Sequence, residues 1–523
     1  MINKTLQSLK INSLVESDTS LQLLGNIFSL GVTAQHWSKI VSILRAEEYR
    51  FAGLWAEDQN EFMQLNCCFA SQSEYLLLHT EIPLTNLRIA SITPYYIAAN
   101  RFERSSRDMF GIEFVGTSDK RRWIRHKAWR DWQFPLRKNF PVAPTFVEVT
   151  PANVEYHFFK ASGSGIYEIP VGPVHAGIIE PGHFRFQVAG EEVIRLEERL
   201  GYVHKGIEKI AEGRDVFGLL KLAARVSGDS TIAHSWAASL ACENALKVNV
   251  PERAIFLRAI LAERERVANH LNDFAAISND VGYTFAFYQL MRLKELWLRT
   301  NKQIFGHRLL MDLIIPGGVL VDVDERAKTI IKTQIQELEK ELTELYPIFE
   351  DNSSYHDRLK NTGILSFAQA KHFGVLGYMA RASGLNFDMR DAIPYSPYDK
   401  VKVHLPLFTN GDVLSRVRVR AQEILISFEL INKFLDMLPQ GQLQSKWQNR
   451  GVEVTGIGLV EGWRGETLAY VKIGSDGLIE RYFPRDPSWF SWPALEELIH
   501  GNIVPDFPVC NKSVNGSYSG VDL

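Results

Sequence analysis

Residues 250–271 read VPERAIFLRAILAERERVANHL, and this stretch decides the fold of the larger part of the chain. Pro251 suits the first position of a helix, where the N–H that proline lacks would have no partner in any case. The apolar residues that follow recur at helical spacing, with charged residues between them. The stretch therefore predicts a long helix that begins at Pro251.

Helical patterns dominate from residue 205 onward. Residues 324–346, DERAKTIIKTQIQELEKELTELY, are amphipathic, with Glu and Lys at helical spacing. Asp412 is a suitable N-cap for a helix that starts at residue 413. Upstream, residues 184–196, FRFQVAGEEVIRL, alternate between apolar and polar around an Ala-Gly turn, which predicts a β-hairpin. We expect a mainly α-helical domain with this hairpin near its start.

Residues 1–140 have a different character, because short apolar runs such as YLLLHTEIPL (75–84) alternate with polar connections. This pattern is typical of a small α/β domain. Residues 139–155, NFPVAPTFVEVTPANVE, carry three prolines and predict an extended linker. The sequence therefore predicts an α+β protein of two domains, spanning residues 1–145 and 146–523.

Composition excludes several classes of protein. The net charge of −3 and the lack of a long basic run argue against nucleic-acid binding. The four cysteines indicate a reducing compartment, and no two are spaced as CxxC, which argues against zinc or an iron–sulfur cluster in this chain. We find no apolar leader and no apolar run of membrane-spanning length. We therefore expect a cytoplasmic protein that reaches a membrane through partners.

Residues 103–114, ERSSRDMFGIEF, form a distinctive string in the first domain, followed by DKRRW (119–123) and FPLRKNFP (134–141). Glu103 and Asp108, interleaved with arginines, would suit a docking surface held by charge pairs. The alternative is a solvated basic face. The string resembles the thirty-kilodalton subunit of respiratory complex I, which is fused to the large subunit in formate hydrogenlyase.

The second domain resembles the large subunit of group 4 nickel–iron hydrogenases and its homologue, the forty-nine-kilodalton subunit of complex I. Together with the first domain, the resemblance covers nearly the whole chain and implies a subunit of a membrane-associated redox complex. The strings that carry it, in the order of the family, are GPVHAGIIEPGHFRF (172–186), RLGYVHKGIEKIAEGRD (199–215), ARVSGDSTIAHS (224–235), VPERAIFLRAILAERERVANHL, RASGLNFDMRDAIPYSPYD (381–399), GDVLSRVRVR (411–420), EGWRGE (461–466) and DFPVCNKSVNGSYSGVDL (506–523).

The chain departs from those hydrogenases at the metal ligands. Their two CxxC pairs hold the nickel–iron centre, and the matching positions here are Ser227, Ser230, Ser517 and Gly520. A serine hydroxyl stays protonated near neutral pH, whereas a cysteine has a pKa of about 8.5 and loses its proton on metal binding. The resemblance therefore implies no metal in this chain and no hydrogenase activity.

Complex I places a quinone at the same site. Its headgroup tyrosine falls at Gly228 and its partner histidine at His175 or His183, while Tyr518 is a conceivable substitute for the tyrosine. The two histidines could instead stabilise the hairpin loop. The resemblance implies a quinone or substrate pocket formed by His175, His183, Ser227, Gly228, Ser230, Ser517 and Tyr518.

Three further residues match catalytic positions of the family. Glu208 matches a proton-passing glutamate, and Arg225 matches an arginine beside the nearest iron–sulfur cluster of the small subunit. Arg464 matches an arginine that overhangs the metal pocket. The alternatives are a helix glutamate stabilised by the macrodipole and, for Arg225, a structural ion pair with Asp229. A wider polar set could relay protons or hold loops by buried hydrogen bonds, and it comprises His234, His270, Arg381, Asp388, Arg390, Tyr395, Tyr398 and Asp399.

Two functions follow from the resemblance. In the first, electrons pass from a 4Fe–4S cluster in a partner small subunit to a quinone or another acceptor, coupled to ion translocation. In the second, the pocket is redox-silent and the chain is a coupling scaffold between the iron–sulfur arm and the membrane arm. Both imply an iron–sulfur small subunit, a ferredoxin-like subunit, and membrane-embedded antiporter-like and anchor subunits. Both also imply a peripheral position on the cytoplasmic side of the inner membrane.

Overall fold

The N-terminal part is built around a five-stranded sheet. The computed structural model describes residues 2–16, 20–126, 129–143, 156–175 and 179–523. The elements of this part are α1 (Ile2–Ile11), β1 (Gln22–Leu24), β2 (Ile27–Gly31), α2 (Trp37–Ala46), β3 (Arg50–Asp58), β4 (Phe62–Ala70), β5 (Tyr75–Pro83), β6 (Arg88–Ala90), α3 (Ala99–Phe110) and β7 (Glu113–Val115). The sheet order is β1-β2-β5-β4-β3, in which β2 and β5 are parallel and the other neighbours antiparallel.

The second part is mainly helical, as the sequence predicts, and contains two further three-stranded antiparallel sheets. Its elements are β8 (Ile166–Val171), β9 (His183–Ala189), β10 (Glu192–Arg199), α4 (Ile207–Ala211), α5 (Val216–Ala223), α6 (Thr231–Leu246), α7 (Glu252–Asp280), α8 (Thr284–Phe305), β11 (Ile314–Ile315), β12 (Gly318–Val319), α9 (Glu325–Glu350), α10 (Ser353–Leu359), α11 (Phe367–Phe373), α12 (Gly377–Ala382), α13 (Met389–Ala392), α14 (Val413–Asp436), β13 (Val454–Gly462), β14 (Gly465–Ile473), β15 (Ile479–Arg485), α15 (Ser488–Leu498), α16 (Phe507–Val514) and α17 (Ser519–Asp522).

The structure confirms the predicted β-hairpin and the predicted helix cap. The predicted hairpin is formed by β9 and β10, turns at Gly190 with a φ of 63°, and gains β8 as a third strand. Asp412 caps α14, because its carboxylate accepts the backbone N–H of Ser415 at 2.8 Å. Pro251 flanks α7 as its N-cap rather than forming its first residue. Most of the predicted linker, residues 144–155, and with it the predicted boundary at 145, lies outside the described residues.

The sheet of β13, β14 and β15 has no counterpart in the sequence prediction. Its strands are buried on both faces, so they lack the alternation that marks a half-exposed strand. β13 packs directly on α6 through two glycines. A Cβ at Gly456 would lie 2.0 Å from the carbonyl oxygen of Ala241, and one at Gly458 would lie 2.1 Å from that of Ala237. Larger residues would therefore push helix and sheet apart.

The two parts are joined across the edge strand β3. Arg481 and Arg485 of β15 donate from Nε to the carbonyl oxygens of Ala56 and Ala52, at 3.0 and 2.9 Å. These bonds satisfy acceptors that an edge strand leaves open. The ring of Trp55 stacks on that of Phe483 with centroids 5.1 Å apart. The two sheets therefore share one continuous core.

A buried ion-pair cluster reinforces this junction. Glu466 of β14 accepts hydrogen bonds from Arg50 of β3 and from Arg485 of β15. The hydroxyl of Tyr75 donates to the same carboxylate at 2.5 Å. Although burial opposes ionisation, Arg50 and Arg485 hold the pKa of Glu466 below its usual range.

The string ERSSRDMFGIEF is not a docking surface. Glu103 is buried and accepts hydrogen bonds from Ser91 and from the N–H of Ile92, both at 2.7 Å. Asp108 is buried and accepts the N–H groups of Trp123 and Ile124 at 2.7 and 3.0 Å. The charges therefore act inward, where Glu103 fixes the loop before α3 and Asp108 fixes the loop after it. In the part of the chain that the structure describes, no helix is both long and apolar enough to cross a membrane.

We expect Glu466→Gln to destabilise the full-length chain by about 3–5 kcal/mol, because it leaves the buried guanidinium of Arg485 facing a neutral amide. Urea unfolding followed by circular dichroism measures the effect. The control is Glu429→Gln, which removes an exposed pair with Lys433 one turn away on α14 and should cost less than about 0.5 kcal/mol. Equal unfolding midpoints for the two variants would contradict the assignment.

Candidate functional site

Three segments that are distant in sequence meet at the site that the resemblance predicts. They are the turn between α5 and α6 (227–230), the tight turn between β13 and β14 (463–464), and the C-terminal segment between α16 and α17 (515–518). The first turn is held by Trp463, whose indole N–H donates to the carbonyl oxygen of Asp229 at 2.8 Å. Trp492 of α15 donates to the carbonyl oxygen of Ser517 at 3.1 Å and so holds the third.

A chain of hydrogen bonds joins the serines at the positions that the resemblance assigns to metal ligands. Ser227 donates from Oγ to the carboxylate of Asp229 at 2.6 Å. The Oγ atoms of Ser227 and Ser517 are 2.8 Å apart, so Ser517 is the donor of that pair. The backbone N–H of Gly520 donates to Ser517 Oγ at 2.9 Å. The polar groups therefore satisfy one another.

Arg464 closes the chain from the other side. Its guanidinium contacts both carboxylate oxygens of Asp229, at 2.9 and 2.5 Å, and Ser230 Oγ at 3.0 Å. Its Nε donates to the carbonyl oxygen of Asn515 at 2.7 Å. Burial opposes the ionisation of Asp229, but Arg464 outweighs it and lowers the pKa of this carboxyl. The site is therefore centred on one bidentate ion pair.

Asp486 lies beside Gly520, the position that the resemblance assigns to the fourth ligand. A Cβ built on Gly520 would be 2.8 Å from Cγ of Asp486, which is closer than two carbons can approach. Asp486 is fully buried and bonded to His234 Nε2 at 2.9 Å, and His234 holds its pKa below the usual range against the effect of burial. Any side chain at position 520 must therefore displace this pair.

The donor set at these positions does not fit a nickel–iron centre. Such a centre needs soft thiolate ligands, whereas hydroxyl and carboxylate oxygens are hard donors. Among the described residues, no group of three or more His, Cys, Asp or Glu side chains is arranged as a metal-binding set.

The loop between β8 and β9 contacts the C-terminal segment. His175 Nε2 is 2.8 Å from the carbonyl oxygen of Gly182, and His183 Nδ1 is 3.4 Å from that of Gly172. The ring of Tyr518 lies against Gly182, where a Cβ would come within 2.5 Å of it. Glu180 accepts the N–H of Ser519 at 3.0 Å. The structure thus brings both histidines to the same loop, where each interacts with loop backbone.

Glu208 points toward the N-terminal part of the protein. Its carboxylate pairs with Arg481 at 2.6 Å, and the small space beside the pair is also lined by Trp55, Phe110 and Trp489. Glu208 is 9% exposed, so it is not the solvated first-turn glutamate that the alternative required.

Arg225 is on the surface, and its ion-pair partner differs from the expected one. Its guanidinium binds Asp312, with Nη2 at 2.7 Å from Oδ2, and the side chain is 45% exposed. The expected pair with Asp229 is wrong, because Asp229 is already engaged by Arg464. Phe217 of α5 and Leu309 and Leu320 of the segment that carries Asp312 are also exposed.

Comparisons with known proteins show to which class of protein this fold and site belong. Three family descriptions match in succession: "Respiratory-chain NADH dehydrogenase, 30 Kd subunit" over residues 30–146, "Nickel-dependent hydrogenase" over 205–279, and "Respiratory-chain NADH dehydrogenase, 49 Kd subunit" over 280–456. The second match spans 227–230, where this chain has no cysteine.

Curated relatives span most of the chain. "Hydrogenase-4 component G" of Escherichia coli (strain K12) is 32% identical over 83% of this chain and 75% of its own length. "Formate hydrogenlyase subunit 5" of the same organism is 31% identical, over 86% and 79%. The C/D subunit of the NADH-quinone oxidoreductase of Bacteroides thetaiotaomicron is 30% identical, over 80% and 82%.

A solved structure, that of the "membrane-bound sulfane sulfur reductase (MBS), an archaeal respiratory membrane complex", superposes with a TM-score of 0.64 at 26% identity, over 70% of this chain and 100% of that chain. The chain therefore belongs to the family of membrane-bound hydrogenase and complex I subunits in which the 30 Kd and 49 Kd modules are fused. The predicted resemblance is confirmed, and the protein is a subunit of an oxidoreductase complex.

The sequence analysis did not identify Asp486 as a residue of the site. It is separated from His234 by 252 residues and from the serines by whole elements, so no spacing in the sequence links them. The sequence analysis named Asp229 as an ion-pair partner for Arg225, because the two are close in sequence. Its partner in the structure is Arg464.

We expect Gly520→Ala to destabilise the full-length chain by about 1–3 kcal/mol, because the added methyl group collides with Asp486. The matched control is Gly228→Ala, since a Cβ at Gly228 meets no atom within 4 Å. That variant should unfold within about 0.5 kcal/mol of the unmodified chain. Urea unfolding measures both, and a tolerated methyl group at position 520 would refute the tight contact with Asp486.

Proposed function

We propose that this chain is the core subunit of a membrane-associated, complex I-like oxidoreductase complex that is not a nickel–iron hydrogenase. It takes electrons from a 4Fe–4S cluster in a partner small subunit, passes them to a quinone or another small acceptor, and couples this transfer to ion translocation. The observation that carries the proposal is the chain of hydrogen bonds that joins Gly520, Ser517 and Ser227 to Asp229. Both modules of the family are present, but Ser227, Ser517 and Gly520 stand where a metal centre would need thiolates.

The acceptor would lie beside Gly228, in the proposed pocket of His175, His183, Ser227, Gly228, Ser230, Ser517 and Tyr518. No atom lies within 4 Å of a Cβ built on Gly228, the position that matches the quinone-binding tyrosine of complex I. The hydroxyl groups of Ser227 and Ser517, by contrast, are hydrogen-bonded to each other. Asp229, the next residue in the chain, is paired with Arg464. Sulfane sulfur, from which the structural neighbour takes its name, is one class of acceptor other than a quinone.

The proposed partners are those that the resemblance implies. Arg225 is exposed, as are the apolar side chains of Phe217, Leu309 and Leu320, and exposed arginine and aromatic side chains are typical of protein interfaces. The surface that carries Arg225 would bind the iron–sulfur small subunit. A ferredoxin-like subunit and membrane-embedded antiporter-like and anchor subunits would complete the complex on the cytoplasmic side of the inner membrane. Within the chain, residues 1–145 would form the domain like the 30 Kd subunit, and residues 146–523 the domain like the 49 Kd subunit.

A redox-silent coupling scaffold is the second candidate. The hydrogen-bonded serines favour it, because they fill one side of the pocket. The open space at Gly228 favours an acceptor. The two functions differ in whether Glu208 and Arg225 affect electron transfer.

We expect the purified complex to contain no stoichiometric nickel, even when it is produced with a complete nickel-insertion system. Hydroxyl oxygens do not replace the thiolates that the centre requires. Elemental analysis by mass spectrometry measures this, and a relative with all four cysteines, prepared in parallel, shows that insertion works. About one nickel per chain would refute the proposal.

We expect Glu208→Gln to leave the complex assembled and to slow turnover or ion translocation by about tenfold or more, because the amide keeps the shape but cannot pass a proton. Electron transfer and ion uptake in proteoliposomes measure both activities. The control is Glu212→Gln, just past the end of the same short helix, whose partner is Lys209, and it should leave both unchanged. If Glu208→Gln behaves like the control, Glu208 is structural.

We expect Arg225→Met to lower the reduction potential of the partner cluster, because it removes a positive charge near the proposed interface. Asp312→Asn should raise that potential, because it leaves Arg225 without its compensating charge. Redox titration of the assembled complex measures both shifts. If neither variant moves the potential and Glu208→Gln leaves turnover unchanged, the scaffold function is correct.

A further inference from the structure

A second cluster of charged groups lies buried behind the Arg464 turn. Its members come from α7, α12, the start of α13, α14 and the end of β13, and each is at most 2% exposed: Glu263, Arg266, His270, Arg381, Asp388, Arg390, Glu423 and Glu461. Charges so far from water must be neutralised within the cluster, because an unpaired buried charge is very costly.

Glu263 and Asp388 are fully paired. Glu263 binds Arg266 at 3.1 Å and Arg390 at 3.0 Å and accepts the hydroxyl proton of Tyr398 at 2.6 Å. Asp388 binds Arg390 at 2.8 Å and Arg381 at 3.0 Å. Each of these two carboxylates therefore has two guanidinium partners.

Glu423 is paired as completely. It binds Arg381 through Nε at 2.9 Å, Arg266 at 3.7 Å and His270 Nε2 at 2.7 Å. Burial opposes its ionisation, but Arg381 and His270 hold its pKa well below the usual range.

The carboxylate of Glu461 has fewer partners than the other three carboxylates of the cluster. Within the described part of the chain, the hydrogen bond that its carboxylate accepts comes from the backbone N–H of Met389 at 3.1 Å. Its guanidinium neighbour Arg381 is 3.9 Å away, beyond hydrogen-bond distance. Of the four carboxylates in the cluster, it has the weakest contacts with positive charge.

The charges of the cluster balance only with one extra proton. Arg266, Arg381 and Arg390 supply three positive charges against four carboxylates. A proton on His270 would leave the ring Nδ1–H buried without an acceptor, since that nitrogen has no partner among the described residues. A proton on Glu461 balances the three arginines against the other three carboxylates and leaves His270 neutral.

The electrostatics of Glu461 agree with this placement. Burial, followed by the negative charge of Asp388, raises the pKa of Glu461 to about 8. The charged and titratable groups that face it are Asp388, Arg381, Arg390, Arg266 and Tyr395. Because the pKa is raised, the carboxyl is neutral below about pH 8 and ionised above it.

Glu461 is also joined to the Arg464 turn. Arg266 donates to the carbonyl oxygens of Glu461 and Gly462, at 2.9 and 3.0 Å. Arg464, two residues after Gly462, forms an ion pair with Asp229. A negative charge on Glu461 would attract Arg266 and Arg381 away from their present acceptors, and the strand end that carries Arg464 would move with them.

We propose that Glu461 is a proton-binding positioning residue, whose bound proton keeps Arg464 on Asp229 and whose loss to solvent releases that contact. The proposal rests on the proposed function in treating Arg464 as part of the acceptor pocket. The proton-binding half of the proposal is independent of which acceptor is used.

Infrared difference spectra of the assembled complex, recorded across pH about 7 to 9, test proton binding. The wild-type complex should lose the C=O band of a buried, protonated carboxylic acid as pH rises through this range. The band should be absent from Glu461→Gln and present in Glu453→Gln. Glu453 is a matched control, because it lies just before the same strand but is exposed and paired with Lys472 at 3.0 Å.

Turnover measured over the same pH range tests positioning, which a merely structural role would not affect. Wild-type turnover should fall as pH rises through about 8. In Glu461→Gln, which cannot ionise, this fall should shift upward by about one pH unit or more. Glu453→Gln should keep the wild-type profile.

Assembly separates Glu461 from its neighbours. Glu461→Gln reproduces the neutral form and should assemble in wild-type yield. Glu263→Gln should lose most of the folded protein, because it removes the buried negative charge that Arg266 and Arg390 share. Failure of Glu461→Gln to assemble would overturn the proposal, as would persistence of its infrared band or an unchanged pH profile. A complex without turnover on any acceptor refutes the proposed function and with it the positioning role, while the infrared result still decides proton binding.

Discussion

The buried guanidinium groups organise this structure, because a guanidinium always carries its charge and must find oxygen acceptors when it leaves water. Arg481 and Arg485 find them on the open edge of β3 and so join the two modules. Arg464 finds them on Asp229 and Asn515, and thereby joins all three segments of the site.

The same constraint explains how polar groups are packed at the positions that the resemblance assigns to metal ligands. Ser227 and Ser517 are hydrogen-bonded to each other, and Ser227 donates its own hydroxyl proton to Asp229. Arg464 balances the charge of Asp229. The pair of Asp486 and His234 lies beside Gly520. The polar network therefore holds the segments of the site together through its own hydrogen bonds.

Sequence reasoning succeeded where the signal is local or belongs to a family motif. The helix over 250–271, the Asp412 cap and the hairpin at Gly190 each depend on residues a few positions apart. The sheet of β13, β14 and β15 was missed because burial on both faces removes the alternation on which strand prediction rests. The string at 103–114 was misread as surface, because composition cannot tell a charge that pairs inward from one that faces water. Its acceptors and donors lie on loops that only the fold brings near.

The site was predicted less completely than the fold. Family motifs indicated that 227–230 and 517–520 come together, and the contact between Ser227 and Ser517 agrees with that. They gave no indication of Asp486 or of the partner of Arg225, because neither position belongs to the strings that carry the resemblance. Pairing between distant charges depends on which groups folding leaves out of water, and this property belongs to the whole chain rather than to any segment.

The energetics of buried ion pairs bear on whether the pocket is active or silent. A scaffold needs only stability, and a buried pair such as Arg464 and Asp229 is a poor source of it, because apolar residues of similar volume would often serve as well or better. Gly228 is exposed, so the space beside it is open to solvent and accessible to a small molecule. A pocket that accepts electrons and protons does need a fixed positive charge beside an open position, because that charge stabilises a reduced, negatively charged acceptor. The buried pair of Arg464 and Asp229, next to the exposed Gly228, is therefore the reason that we propose an acceptor site rather than a scaffold.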